Sequence, residues 1–365
     1  MGKIRLKKQK SSFDKKLLVL TLSLTFLGLV AVADASAPIA ERIFGDKFYF
    51  AKQQLVWGIF GVFLMILVSQ INYRFWEKAT LPLFALSIIL LILVLIPGLG
   101  VKALGARRWL GIGPISFQPS EFVKLTLIFY LAKVAAKEKK FLSYLIPVTL
   151  ISLLIMLQPD LGTTIVLGLI ALSQIYISQV NIIYLLITAL AGGIASFLLI
   201  VTSPYRKERL ITFLRETQDP LGSGYHIRQI LLALGSGGLL GVGIGASRQK
   251  FLFLPEAATD SIFAIIAEEV GFIGSTILIV LFGLFIYLGT LIIKNAPDTF
   301  SRVLAAGIVA WIGGQALLNM ATMTAIVPIT GIPLPFFSYG GSSLTMVLLA
   351  TGVLLNISRY VSKER

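Results

Sequence analysis

Carboxylates and cationic side chains are the residues through which this chain can do chemistry. It has no cysteine and a single histidine, His226. That excludes thiolate nucleophiles, disulfides, and Cys- or multi-His metal sites. A Ser-His-Asp triad would have to be built around that one residue. His226 lies in a polar stretch and reads as a surface or hydrogen-bonding side chain rather than a catalyst. What remains is 17 Asp/Glu and 32 Lys/Arg. Glu121 and Lys124 are spaced i, i+3, so on a helix they pair on one face, as a structural ion pair or as part of a site. Glu256 and Asp260 are spaced i, i+4 just after Pro255. At a helix mouth Asp260 either complements the helix dipole or serves as a general base. Glu268 falls about 80° round the same helix from Asp260, and Glu269 about 180°. Asp160 follows Gln158-Pro159 in a tight turn, while Asp34, Glu41, Asp46 and Asp219 read as solvated loop charges.

The elements that must hold these residues are membrane helices. Of 365 residues 56% are hydrophobic and 13% charged, and the mean hydropathy is +0.89. A soluble fold of this size cannot hide so much apolar surface. The net charge of +15 therefore reads as loop-end anchors meeting anionic lipid, not as nucleic-acid binding. Ten apolar segments are long enough to cross a bilayer, near 17–36, 54–72, 80–98, 119–136, 143–158, 160–179, 182–202, 261–293, 303–326 and 342–358. The expected fold is an all-α polytopic membrane protein, a single domain over 1–365. A basic tail occupies 1–16, and a large loop, 203–260, separates the seventh and eighth spans. The first apolar run, Leu17 to Ala33, follows seven basic residues and is long enough to remain as a signal anchor.

Basic residues orient the spans. The tails and the loops on their side carry 18 Lys/Arg, against 6 on the other side once the long 203–260 loop is set aside. Both termini are expected in the cytoplasm, with 203–260 outside. The outer loops then gather the unusual residues. They are Gly105-Ala106-Arg107-Arg108-Trp109, Gln158 to Thr163, Arg206, Arg209, Gly235-Ser236-Gly237-Gly238, Leu254 to Asp260, and Gly331 to Ser343. Glycine-rich backbone lets N–H groups approach a phosphate, and arginine offers it forked donors. The stretch Leu239 to Leu254 is apolar but too broken by glycine to span, and reads as a segment dipping into the membrane.

At these residues the chain resembles the SEDS family (shape, elongation, division and sporulation), the FtsW/RodA type. The resemblance runs through nearly the whole chain. It is carried by Gln158-Pro-Asp-Leu-Gly-Thr163, by Leu254-Pro-Glu-Ala-Ala-Thr-Asp260 with Ala267-Glu-Glu269, and by Pro333-Leu-Pro-Phe-Phe-Ser-Tyr-Gly-Gly-Ser-Ser343. It implies a ten-helix glycosyltransferase that polymerises lipid II outside the cytoplasmic membrane, working with a class B penicillin-binding transpeptidase and other division or elongation proteins. The family usually has His-Thr-Asp-Phe around the acidic residue; here Ala258 and Ser261 replace the His and the Phe. Gly241 to Lys250 running straight into Phe251-Leu-Phe-Leu-Pro255 looks like the division type, whereas Ile329 to Pro333 leans to the elongation type.

The implied reaction is an inverting glycosyl transfer, in which Asp260 takes the proton of an acceptor hydroxyl. Arg108, Lys124, Arg206 and Arg209 are the candidates for the leaving diphosphate. Glu121, Asp160, Glu256, Ser338 and Ser342 complete the substrate-binding candidates. A divalent cation, Mg or Mn, held by Glu256 and Asp160 would assist; no organic cofactor is implied. The rival reading is a flippase for lipid-linked precursor, which needs polar residues through the depth of the bilayer. Here most of them cluster at one face.

Overall fold

The computed structural model describes residues 13–103, 106–112, 115–137, 140–214 and 224–361. In chain order the elements are α1 (Lys15–Ala35), α2 (Ala37–Phe44), α3 (Tyr49–Gln70), α4 (Arg74–Leu95), β1 (Gly100–Ala103), β2 (Ala106–Ile112), β3 (Ile115–Phe117), α5 (Pro119–Ala136), α6 (Leu142–Met156) and α7 (Leu161–Ile177). They continue with α8 (Ile182–Thr202), α9 (Pro204–Leu214), α10 (Tyr225–Gly237), α11 (Ile262–Lys294), α12 (Thr299–Met323) and α13 (Gly341–Ser358). Each of the ten apolar segments is a helix. Seven of them are long and apolar enough to cross a membrane, and α6 and α7 are shorter apolar helices. The chain is a multi-pass membrane protein, mostly helical.

Apolar residues here need not be inside. Every residue of α8 lies outside the core, as a lipid-facing helix allows, because hydrocarbon solvates leucine as well as a core does. The interior is built instead from α5, α12 and α13, most of whose side chains are buried. Acidic residues fix several helix starts: Asp14 accepts from the N–H groups of Lys16 and Leu17, and Asp298 forms a capping box with Ser301.

The helical membrane fold is as expected, with one local correction at residues 99–118. This stretch, read as a loop, forms a three-stranded antiparallel sheet in the order β1-β2-β3, with Val101 opposite Trp109 and Gly111 opposite Ser116. The 203–260 region is likewise not plain loop, for it contains α9 and α10.

A second correction concerns α11, expected as one unbroken helix. It breaks at Gly271, where φ is 67° and ψ is −165°. The N–H groups of Phe272 and Ile273 donate to the carbonyls of Gly238 and Leu239, and the carbonyls of Glu268 and Glu269 accept from Val242 and Gly243. The 238–243 stretch thus satisfies the backbone groups that the break would otherwise orphan, as a low-dielectric setting demands. Only glycine fits: a Cβ at Gly271 would stand 2.3 Å from the Gly241 nitrogen.

Candidate active site

Asp260 is not on a helix. The chain from 251 to 261 runs through successive turns, and α11 begins at Ile262. The expected one-turn helical relation between Glu256 and Asp260 is therefore absent. Glu256 follows Pro255 with a positive φ of 52°, and its exposed carboxylate accepts from the Thr259 hydroxyl at 2.7 Å. The helical angles assigned to Glu268 and Glu269 relative to Asp260 lapse for the same reason.

What fixes Asp260 is its own backbone. Three consecutive carbonyls are gripped from one side. Tyr339 N–H donates to Ala258 O at 2.8 Å, the Ser338 hydroxyl to Thr259 O at 2.6 Å, and Asn319 Nδ2 to Asp260 O at 2.8 Å. The gripping segment, 331–340, is itself held. Gln54 of α3 brackets it through Ser338 O and the Gly340 N–H, each at 3.1 Å. Its Phe336 and Phe337 stack into Phe282 and Phe285 of α11. At Gly28 a Cβ would lie 2.1 Å from Phe336 O, so a glycine in α1 lets this segment sink between the helices. Gly331 brings its Cα under the catalytic candidate: a Cβ there would be 3.3 Å from Asp260 Oδ2.

Beneath this lies a polar ladder on α12. Trp311, Gln315 and Asn319 recur every four residues and so share one face. Gln315 Nε2 donates to Pro333 O at 2.8 Å, and Asn319 Nδ2 to Ile332 O at 2.7 Å. The Lys124 ammonium of α5 meets the ladder, donating to Gln315 Oε1 at 2.9 Å and standing 4.9 Å from the Trp311 ring centre. Its partner is Glu121, one helical turn away, at 2.7 Å. Both side chains are 2% exposed, and Glu121 Oε2 is a buried oxygen with no hydrogen-bond donor.

A third group adjoins through the α6–α7 turn. Arg108 on β2 donates from Nε to Gln158 O at 3.0 Å and from Nη2 to Pro159 O at 2.6 Å. Asp160 caps α7, taking the Thr163 N–H at 3.0 Å and the Thr163 hydroxyl at 2.8 Å. One residue into that helix, Gly162 lies against Thr330 O and Ile332. Ser342 joins the sheet to α13, accepting from Gln118 N–H and donating to Ser116 O. Asp260, Ser338, Lys124 and Glu121 are thus linked through Asn319, Gln315 and the 331–340 segment; Arg108 and Asp160 brace the turn that meets this segment at Gly162, and Ser342 ties the sheet to α13. Glu256 sits on the surface. Arg206 and Arg209 fall on α9, but their side chains lie outside the described residues. Among the described residues no three His, Cys, Asp or Glu side chains gather into a metal cage. Asp160 turns both oxygens to Thr163.

Sequence reasoning missed Trp311, Gln315 and Asn319. Their signal is present, as polar-capable residues every four positions in an otherwise apolar helix. It misread Asp34, which is no solvated loop charge. Asp34 lies in the last turn of α1 and binds Lys250 at 2.7 and 2.9 Å. His226 shares a 2.9 Å hydrogen bond with Ser261, the role expected of it.

The family model for FtsW, RodA and SpoVE, described as a cell cycle protein, matches residues 15–363. The chain belongs to this family. Stage V sporulation protein E of Bacillus subtilis is 43% identical over 96% of this chain and 98% of its own length. The probable peptidoglycan glycosyltransferase FtsW of Coxiella burnetii is 40% identical over 95% of this chain and 96% of its own. Among solved structures, a chain from a peptidoglycan synthase complex that coordinates polymerization and crosslinking superposes with a TM-score of 0.79. It is 27% identical and covers 96% of this chain and 99% of that one. The rod shape determining protein RodA of Thermus thermophilus matches at a TM-score of 0.71 and 26% identity, covering 96% of this chain and 98% of that one. These FtsW/RodA-type folds agree with the architecture described above.

Proposed function

We propose that this chain is a peptidoglycan glycosyltransferase that polymerises lipid II at the outer face of the bacterial cytoplasmic membrane, with Asp260 as general base. One observation carries the reading: a carboxylate whose backbone is clamped at three successive carbonyls and whose Oδ2 overlies a glycine. A base must be held still at the protein–water boundary, within reach of both an aqueous hydroxyl and a lipid-anchored donor. Asp260 removes the proton from the 4-hydroxyl of the acceptor GlcNAc as that oxygen attacks C1 of MurNAc. The C1–oxygen bond to the polyprenyl diphosphate breaks, with inversion. The departing diphosphate needs positive charge. Arg108 spends two of its five donors on backbone carbonyls and has others to offer. Lys124 contributes its field from below.

The 18-to-6 asymmetry of basic residues supports cytoplasmic termini and an external site. Protease added outside intact cells is expected to spare the N-terminal tail; cutting it would reverse the topology. The likeness to a chain of a peptidoglycan synthase complex supports a class B penicillin-binding transpeptidase as partner. Relatives named FtsW, together with the Gly241 to Pro255 stretch, support a role in division. A tagged copy is expected in mid-cell bands, and dispersed patches would assign it to elongation.

The activity is tested with purified protein and labelled lipid II. Wild type is expected to yield a polymer ladder. Asp260→Asn preserves shape but removes the basic oxygen, and polymer should fall by about 10²–10⁴-fold. Transfer of lipid II between vesicle leaflets without polymer would make the protein a flippase. A folded Asp260→Asn that still polymerises would return Glu256 or Asp160 to the base's role.

A further inference from the structure

A second buried lysine, Lys250, sits where three parts of the chain meet. Its side chain is 4% exposed, and its ammonium donates to Asp34 Oδ1 at 2.7 Å, Asp34 Oδ2 at 2.9 Å and Glu269 Oε1 at 2.9 Å. An ammonium has three donors, and all three are taken by carboxylates on α1 and α11. The residues just before it are gripped as well. Glu268 accepts the N–H groups of Arg248 at 3.1 Å and Gln249 at 3.3 Å, along with the Ser247 hydroxyl. The Ser247 N–H donates to Glu269 at 3.2 Å. Residues 247–250 are therefore fastened to α11 on the N-terminal side of its break at Gly271.

Beyond Lys250 the contacts to other elements thin: the N–H groups of Phe251 and Leu254 donate back to the carbonyls of Arg248 and Gln249, at 3.2 and 3.0 Å. Phe251, Leu252, Phe253 and Glu256 are exposed, and Leu254 alone among 251–256 is buried. Distant segments then hydrogen-bond the carbonyls of Ala258, Thr259 and Asp260. Asp260 thus ends a short bridge with two piers. One is the 331–340 segment with Asn319; the other is the Lys250 ion network. Both meet α1, the first by packing at Gly28 and the second through the ion pair with Asp34.

We propose that Lys250 is a positioning residue for Asp260: held between Asp34 and Glu269, it fixes the start of the 251–260 bridge and so the placement of the carboxylate at its end. This rests on the glycosyltransferase reading for its kinetic part. Lys250 touches no reacting atom. Its contribution belongs to catalytic geometry, where a displacement of about 1 Å costs about 10²-fold in rate. The arrangement also ranks its members. Asp34→Asn leaves Lys250 in a neutral pair with Glu269, whereas Lys250→Gln leaves two carboxylates facing each other without a cation.

The native chain has no cysteine, so Phe253→Cys gives a single attachment point for a nitroxide label on the exposed bridge. In the full-length protein in detergent, Lys250→Gln is expected to raise label mobility. It should also lower kcat for lipid II polymerisation by about 10²-fold with KM close to that of the parent. Lys250→Arg, which restores charge and donors, is expected to recover most of both. Asp34→Asn is expected to show both effects, each several-fold smaller. Parent-like mobility in Lys250→Gln, or a kcat loss that Lys250→Arg does not recover, would overturn the proposal. If Lys250→Gln does not insert, Asp34→Asn carries the same decision: raised mobility with lowered kcat supports the role, and unchanged mobility overturns it. A wild-type protein that makes no polymer would sink the glycosyltransferase reading, and the mobility comparison would still decide whether Lys250 holds the bridge.

Discussion

Two lysines are buried among the described residues, and they solve the same electrostatic problem differently. Lys124 pairs within its own helix, with Glu121 one turn away, and completes its shell with neutral groups, Gln315 and the Trp311 ring. Lys250 pairs across the fold, with two carboxylates from helices far apart in sequence. The first leaves a carboxylate oxygen, Glu121 Oε2, without a donor beneath the 331–340 segment. The second has all its donors matched. A buried charge that is fully matched fastens structure, whereas one left partly unmatched beside a site keeps capacity for a ligand. The two clusters therefore differ in kind: one is local and partly unmatched, the other long-range and matched.

The largest expected effect is at the local pair. Lys124→Ala leaves Glu121 buried with no cation, which costs about 3–5 kcal/mol. We expect a marked fall in melting temperature together with near loss of polymer. A variant that melts and polymerises like wild type would remove Lys124 from both roles. Glu121→Gln is milder, because the amide oxygen still accepts from the ammonium and Gln315 stays in place; about 1–3 kcal/mol is expected. Since this change also removes the unmatched oxygen, its polymerisation rate should fall by more than its stability explains. Asp34→Asn sharpens the contrast from the other side. Its side chain is 23% exposed and Lys250 keeps Glu269, so the loss should stay below about 1 kcal/mol. If Asp34→Asn destabilises as strongly as Lys124→Ala, the two clusters are not different in kind.

The contrast also explains what could be read from the chain alone. The helices were legible because a bilayer demands long apolar runs, and little else in a sequence looks like one. Glu121 and Lys124 were legible because their partnership is written in a spacing of three. Asp34 and Lys250 stand 216 residues apart, and no local pattern relates them. The break at Gly271 was hidden because glycine is ordinary in membrane helices. Its cause is a second backbone segment, 238–243, whose approach the local sequence of α11 does not announce. The sheet at 100–117 was missed because its strands are short and split by glycine and proline, so they resemble turns. Asp260 was nominated by residue type, in a helical setting that the turns at 251–261 replace. The reason it is held still, three carbonyls clamped by Asn319, Ser338 and Tyr339, belongs to tertiary structure.

The smallest expected effect is a titration that separates the two lysine arrangements by chemistry. Lys250 lies in the segment between α10 and α11, outside the long helices. Burial pushes its ammonium toward deprotonation, but the hydrogen bonds and charges of Asp34 and Glu269 outweigh it, and its pKa is raised above the ordinary lysine value of 10.5. The charged groups facing it are Asp34 from α1 and Glu269 from α11, with Glu268 one residue along on α11 binding the neighbouring N–H groups. A group whose folded pKa is raised contributes stability that is fully present below its unfolded value. That contribution is lost as pH rises through the folded value. The Lys250 network should therefore stay intact through the neutral and mildly alkaline range and release only above about 10.5. Mobility of a nitroxide on Phe253→Cys should rise over that interval. Arginine does not titrate there, so adding Lys250→Arg should flatten the rise while leaving other alkaline transitions of the protein in place. An equal rise with arginine at 250 would show that the bridge is released by some other titrating group, and the contrast between the two lysines would then rest on the substitutions alone.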